Sequence, residues 1–414
     1  MHRLLLVLFC LGLFPAVSLG EVNAELGVEV RAFRDAGLFG QERFQPSFRA
    51  EVEYLSRWGD NDFEVRGFGR YDLEDDERSR VDLREAAWTH VGNGWELKMG
   101  VSKEFWGVTE SLHLVDVINQ TDLVENLNGE DRLGQPMTKV SFEQDWGTLD
   151  LFWLPYFRER TFVGKDGRLG YPVVVDTDAA EYDSGAKQWR SDFAFRYSHY
   201  IGEFEFAISH FSGTSREPSF RFNGDILNPI LTPFYLTIDQ TGLELMYIYE
   251  DWLFNFEGIS NSGIDNSVIG SSKQGERYSA AVFGLEYTQV GIFDSRADLG
   301  WLLEYLFDDR KEAAPTNFEQ DIFVGWRYAF NDEDSSEILA GFAYDPESEE
   351  ILYSVEASKR LTNDLKINIE ALFFEGGEPQ KSDLMSVLSV PSVNNKTAFL
   401  QNEDYIQLEL VKYF

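Results

Sequence analysis

The chain has 414 residues, with 72 acidic and 36 basic side chains and a formal net charge of −36 at pH 7. This balance argues against nucleic-acid binding, because phosphate contacts need a basic surface. Aromatic residues make up 15% of the chain, whereas a disordered chain of this charge would be poor in them. The composition therefore predicts a folded protein.

The N-terminus has the pattern of a secretory signal peptide. His2 and Arg3 precede an apolar run at residues 4–14, and small residues precede a predicted cleavage after Gly20. The run is too short to span a bilayer as a helix. We therefore predict a signal peptide at residues 1–20 and a single mature domain at residues 21–414. The one cysteine, Cys10, lies in the signal peptide, so the mature domain is expected to form no disulfide.

Apolar and polar residues alternate with a period of two along the mature chain, which indicates β-strands. Phe48, Ala50 and Val52, for example, alternate with Arg49 and Glu51. Candidate strands begin near residues 25, 46, 62, 81, 95, 136, 147, 190, 203, 240, 252, 277, 295, 318, 336, 351, 364 and 402. The pattern predicts an all-β fold.

The connections between these strands alternate between short and long. The largest are at residues 104–135, 158–189, 213–239 and 375–401, and a shorter one is at 34–45. Short turns at one end and long loops at the other are typical of outer-membrane barrels, whereas a soluble sandwich has no reason to sort its loops in this way. We therefore predict a transmembrane, antiparallel, up-and-down β-barrel of about 18 strands, with 16 as the alternative count.

The C-terminal stretch YIQLELVKYF, residues 405–414, indicates how the barrel closes. A bilayer leaves no backbone edge unpaired, so the last strand is expected to pair with the first. The stretch resembles the C-terminal signature of Gram-negative outer-membrane β-barrels, which ends in an aromatic residue, here Phe414. This resemblance implies a location among outer-membrane lipid and lipopolysaccharide, and recognition by the barrel-assembly machinery.

The inward positions carry the candidate filter. At 18 strands the lumen is wide enough for an aqueous channel. One wall is rich in arginine and near neutral and the other is acidic, so a transverse field would orient dipolar solutes and favour cations. Simple bracing of the wall is the alternative use of these residues. The candidates are Arg31, Arg49, Arg66, Arg70, Arg84, Lys98 and Arg196 on the first wall and Glu244, Glu257, Glu286 and Glu304 on the second.

The loop at residues 104–135 is the candidate constriction. A water-exposed loop has no need of its apolar residues, so we expect it to fold into the lumen. Asp116 and Asp122 are its candidate site residues. Trp106-Gly107 followed by the stretch 116–122 also resembles a motif of poorly characterised proteobacterial outer-membrane barrels, with Gln120 in the place of a proline. That resemblance implies no particular substrate.

The sequence thus predicts a porin-like channel for passive diffusion of small hydrophilic solutes, without a cofactor or metal site. A substrate-specific transporter or exporter of a charged polymer or nutrient is the alternative. An outer-membrane enzyme is less favoured, because Ser111 and His113 lack a convincing third triad member. A TonB-dependent receptor is also disfavoured, since the first strand starts too soon after the cleavage site for a plug domain. A homotrimer is left open.

Overall fold

In the part of the chain that the structure describes, twenty-one strands make up almost all of the regular structure. They are β1 (Glu21–Phe33), β2 (Phe44–Trp58), β3 (Asn61–Asp72), β4 (Arg80–Gly92), β5 (Trp95–Ser102), β6 (Gln135–Gln144), β7 (Gly147–Leu154), β8 (Glu181–Tyr182), β9 (Asp192–Ile201), β10 (Phe204–Thr214), β11 (Ser219–Phe222), β12 (Leu231–Tyr235), β13 (Thr237–Tyr249), β14 (Trp252–Asn261), β15 (Tyr278–Gln289), β16 (Asp298–Asp308), β17 (Ile322–Ala329), β18 (Glu337–Tyr344), β19 (Ile351–Thr362), β20 (Leu365–Glu375) and β21 (Tyr405–Tyr413). Short 3-10 turns lie at Thr177–Ala179, Lys187–Trp189 and Ile292–Asp294.

The computed structural model describes residues 20–171, 173–225, 227–263, 276–311, 314, 318–376, 400 and 402–414. The predicted signal peptide, apart from Gly20, and most of the predicted loop at 375–401 lie outside these ranges. Within them, no helix has the length and apolar character needed to cross a membrane.

Eighteen of the strands form one closed antiparallel barrel, and β8, β11 and β12 form a separate small sheet. Closure comes from the pairing of β1 with β21, which runs from Glu25 opposite Tyr413 to Phe33 opposite Tyr405. The predicted strand number and the predicted pairing of the two terminal strands are therefore confirmed. All eighteen observed strand starts lie within four residues of the predicted ones.

The outer surface of the barrel is apolar. In β21, Ile406, Leu408 and Leu410 are exposed, whereas Gln407 and Glu409 between them face the interior. Aromatic rings lie near many strand ends on the same outer surface, among them Trp95, Tyr247, Tyr249, Trp252, Trp301 and Phe330. A continuous exposed band of this kind is what a barrel presents to lipid.

The connections differ in length between the two ends of the barrel. The start of β1, the end of β21 and the short turns share one end, which we call the short-turn end. The long loops at residues 103–134, 155–191 and 215–236 leave from the other end, the long-loop end. The small sheet lies within the last two of these loops. Arg168, in the loop at 155–191, attaches that loop to the region where β1 and β21 close the barrel. Its guanidinium group lies 2.9 Å from Glu403 and stacks over the ring of Phe33 at 4.0 Å.

Candidate functional site

The connection between β5 and β6, residues 103–134, lies inside the barrel, and we call it the lumenal loop. Its central anchor is Glu257 on β14, whose side chain is fully buried. The Glu257 carboxylate accepts hydrogen bonds from the backbone N–H groups of Val108 at 2.7 Å, Thr109 at 3.1 Å and Val115 at 3.2 Å. The Thr109 hydroxyl donates a fourth, at 2.7 Å. A wall carboxylate thus satisfies loop N–H groups that have no secondary-structure partner.

A second wall carboxylate holds the next turn of the loop. Glu304 on β16 accepts from the backbone N–H of Glu110 at 2.7 Å and of Ser111 at 2.8 Å, and also from the Ser111 hydroxyl. His113, two residues further on, lies 3.8 Å from Glu257 instead. Ser111 and His113 are therefore engaged by different carboxylates, which gives no support to a nucleophile–base pair.

Trp106 and Gly107 have separate roles in seating the loop. Trp106 is buried and its ring meets that of Phe152 edge-to-face at 5.6 Å. Gly107 has φ of +141°, and a Cβ at this position would lie 2.9 Å from the Glu257 carboxylate. A side chain would therefore be strained there and would crowd the anchor.

The apolar residues of the lumenal loop pack on the inner wall. Val115, Val117 and Ile118 are buried in one cluster with Phe211 and Ile238 of β10 and β13. Leu112 and Leu114 contact a second cluster on β15 to β18. Burial of these side chains on the wall gives the loop a hydrophobic reason to leave the water at the barrel mouth. The loop therefore crosses the lumen and fills part of it.

An arginine cluster on the opposite side of the barrel binds the part of the lumenal loop around Asp122 and Glu125. Glu125 lies 2.8 Å from Arg70 and 3.3 Å from Arg80, and Arg78 donates to its backbone carbonyl. Burial alone would raise the pKa of Glu125, but the surrounding guanidinium groups outweigh it and lower the pKa to about 2. We call Glu125 and these arginines the arginine latch.

The motif stretch closes the lumenal loop on itself. Asn119 donates to the backbone carbonyls of Ser102 at 2.9 Å and Leu133 at 2.8 Å, and so ties the two ends of the loop together. Asp116 pairs with Arg132 at 2.8 Å within the loop, and Asp122 pairs with Arg80 of the wall. The predicted candidates Asp116 and Asp122 thus fix the shape and position of the loop.

Each predicted lumenal cation faces an acidic partner. Lys98 lies 3.7 Å from loop residue Glu104, and Arg84 lies 3.7 Å from loop residue Asp131. The remaining pairs join wall residues: Arg31 with Glu29, Arg49 with Glu25 and Glu409, Arg66 with Glu53, Arg70 with Glu29 and Arg196 with Glu244. The arginine-rich wall is thereby neutralised where it meets the loop.

Two of the cavities beside the loop are both lined by Glu110. The outer cavity, on the long-loop end, has a volume of about 230 Å³, and Arg160 and Glu217 also line it. The inner cavity, on the short-turn end, has a volume of about 210 Å³, and its lining includes Glu286 and Arg327. Arg327 lies 2.6 Å from Glu110 and 3.1 Å from Glu286.

Two further acidic groups lie on the lumenal wall, on β19 and β20. Glu356 on β19 is directly opposite Glu370 on β20, and like charges in such a position repel each other. Among the residues described, neither has a cation within ion-pair distance, although Glu370 accepts a hydrogen bond from Asn126 of the loop at 2.7 Å. Acidic groups without a cationic partner among the described residues therefore face each other on β19 and β20.

Sequence reasoning missed several residues that matter here. Arg78 and Glu125 lie in connections, where no strand period assigns a direction. The apolar content of the loop could have indicated them. It predicts that the loop folds inward, and the carboxylates of an inward-folded loop need cationic partners nearby.

Solved structures with a similar fold include porins and an outer-membrane protein. A BenF-like porin from Pseudomonas fluorescens Pf-5 matches with a TM-score of 0.53 at 9% identity, covering 96% of this chain and 98% of that one. OccD3 (OpdP) of Pseudomonas aeruginosa matches with a TM-score of 0.52 at 10% identity, covering 96% and 91%. Wzi of Escherichia coli, described as a carbohydrate-binding β-barrel involved in group 1 capsule assembly, matches with a TM-score of 0.53 at 9% identity, covering 95% and 84%.

No protein-family profile matches the sequence, and no curated protein matches it either. At these identities the structural likeness defines the class of fold, a closed outer-membrane-type β-barrel of 18 strands.

Proposed function

We propose that the protein is a porin-like channel of a Gram-negative outer membrane, through which small hydrophilic solutes diffuse passively. The apolar outer band and the closed hydrogen-bond ladder support a membrane-spanning barrel. The observation that carries the channel proposal is the pair of cavities on either side of the lumenal loop, both lined by Glu110. The solute path follows the side of the lumen that the loop leaves incompletely filled.

Cations are expected to pass this path more readily than anions. The inner cavity is lined by Glu286 and Glu304, with Arg327 as the wall cation beside them. Glu356 and Glu370 add two acidic groups to the lumenal face of β19 and β20. Acidic rings in a confined, water-filled passage raise the local concentration of cations.

A dedicated transporter or exporter of one charged nutrient or polymer is the second candidate. The buried anchors at Glu257 and Glu304 favour it, because a firmly held loop leaves a narrow passage rather than an open one. An enzyme is not proposed, since Ser111 and His113 bind different wall carboxylates.

Planar-bilayer recording of the purified mature protein tests the channel. Stepwise conductance and a reversal potential of cation-preferring sign in a potassium chloride gradient are expected. Replacing both Glu356 and Glu370 by glutamine should reduce the cation preference. The control is Glu205→Gln, which removes one lumenal charge on β10, where the described loop makes no hydrogen bond.

The absence of both conductance and uptake of small sugars by proteoliposomes would rule out the channel. Conductance that appears only with one nutrient or polymer would favour the dedicated transporter instead.

A further inference from the structure

Glu110 of the lumenal loop lies between the two cavities and forms an ion pair with the barrel wall. Glu110 of the loop reaches Arg327 of β17, and Arg327 also contacts Glu286 of β15. Glu110 lines both cavities, whereas Arg327 and Glu286 line the inner one. Separation of Glu110 from Arg327 would therefore remove the side-chain ion pair between the two cavities, while the backbone N–H of Glu110 stays bonded to Glu304 of the wall.

This bridge differs from the other anchors of the loop in its exposure to water. The Arg327 side chain is 39% exposed and that of Glu110 is 29% exposed. In the latch, by contrast, the side chains of Arg70 and Glu125 are 5% and 4% exposed. Of the ion pairs between loop and wall in the described ranges, the Glu110–Arg327 pair is the most exposed. Exposed ion pairs contribute little stability, because water and salt screen them.

We propose that the Glu110–Arg327–Glu286 bridge is the gate of the pore and that it selects solutes carrying a guanidinium or ammonium group. The inference rests on the channel function proposed above. A cationic solute can take the place of Arg327 beside the two carboxylates, so the pair opens without leaving either carboxylate unmatched. A neutral or anionic solute offers no such exchange. Arg327 is therefore the residue that determines specificity, a tethered cation that a mobile cation displaces.

Single-channel recording in potassium chloride, with and without millimolar guanidinium chloride, tests the gate. Guanidinium should raise the open probability of the wild-type protein. Arg327→Gln should raise it by about two- to five-fold without guanidinium, the range expected for loss of one exposed ion pair, and should abolish the guanidinium response. Glu110→Gln should also open the pore, because it removes the loop side of the same pair.

Arg34→Gln is the matched control, because Arg34 is an exposed arginine at the long-loop end that pairs with Asp404 at 2.7 Å. It should behave like the wild-type protein. Heat-modifiable migration on gels first establishes that each variant is a folded barrel. If Arg327→Gln and Glu110→Gln both conduct like the wild type, or if guanidinium acts equally on Arg327→Gln, the gate is overturned while the channel stands. If no form conducts at all, the channel proposal itself fails.

Discussion

Replacement of Glu257 by alanine is expected to release the middle of the lumenal loop from β14. The substitution leaves four donors without their acceptor, namely the N–H groups of Val108, Thr109 and Val115 and the Thr109 hydroxyl. Hydrogen bonds to a charged group contribute about 1.5–3 kcal/mol each. The released donors regain water, so we expect a net loss of about 3–5 kcal/mol, as for removal of one partner from a buried ionic contact.

This loss shifts the equilibrium between docked and released loop by roughly two to three and a half orders of magnitude, since 1.4 kcal/mol is a factor of about ten. Glu257→Gln is expected to have a smaller effect. Its remaining carbonyl oxygen can still accept the bonds now made by Oε1, and its new amide group faces the N–H of Val115.

Protease protection and conductance measure the release together. A glutamate-specific protease should cleave after Glu110 in Glu257→Ala but only slowly in the wild type, and the mean conductance should rise. Glu205→Ala removes an identical side chain from the lumenal face of β10 and should leave both properties unchanged. Full protection and wild-type conductance in Glu257→Ala would refute the reasoning that Glu257 holds the loop.

Three further predictions concern the latch, the loop packing and the C-terminus. The folded-state pKa of Glu125 is about 2, below its ordinary value, so its ionised form contributes about 3 kcal/mol to loop docking near neutral pH. This contribution should disappear as pH falls from about 4.5 toward 2, with a reversible rise in conductance that Glu125→Gln shows already at pH 7; a conductance independent of pH in this range would contradict it. Trp106→Ala should cost about 3–5 kcal/mol by leaving a cavity against Phe152, measured as a lower denaturant midpoint for loop release by protease protection, with Trp106→Phe less affected; equal midpoints would refute it. Deletion of Phe414 should lower the yield of heat-modifiable barrel in the membrane, whereas Phe414→Tyr should keep it; an undiminished yield after the deletion would argue against its role in assembly.

The barrel could be predicted because the two faces of each strand and the alternating loop lengths are both visible in the sequence. Period-two alternation assigns one face of each strand to the lumen, as with Arg49 and Glu51 on β2, and paired loop lengths give the up-and-down order. Alternation fails where the pairing slips. β4 has an irregular register opposite Arg66 and Gly67, so that Glu85 and Leu83 are their partners and Arg84 is the extra residue. As predicted, Arg84 faces the lumen, where it lies 3.7 Å from Asp131, but a strict period of two cannot also place its neighbour Glu85 there, although Glu85 lies 3.9 Å from Arg66.

The candidate site could be predicted only on its wall side. Parity alone identifies Arg70, Glu257 and Glu304 as inward. Their partners Glu125, Val108 and Glu110 lie in the loop, where each contact depends on the path that the chain takes across the lumen. That path is set by apolar packing around Val115 and Ile118, which has no fixed period.

The charges of the loop complement the two walls in different chemical forms. Toward the arginine-rich wall the loop presents carboxylates, with Asp122 and Glu125 as partners of Arg80 and Arg70. Toward the acidic wall it presents backbone N–H groups, which carry partial positive charge and bind Glu257 and Glu304. The field predicted from strand residues alone is therefore largely cancelled where the loop touches the wall. The facing pair of Glu356 and Glu370 has no cationic partner among the described residues, although Asn126 of the loop donates to Glu370. Selectivity should therefore depend on these two groups and on the exposed Glu110–Arg327 pair rather than on the total number of charges in the lumen.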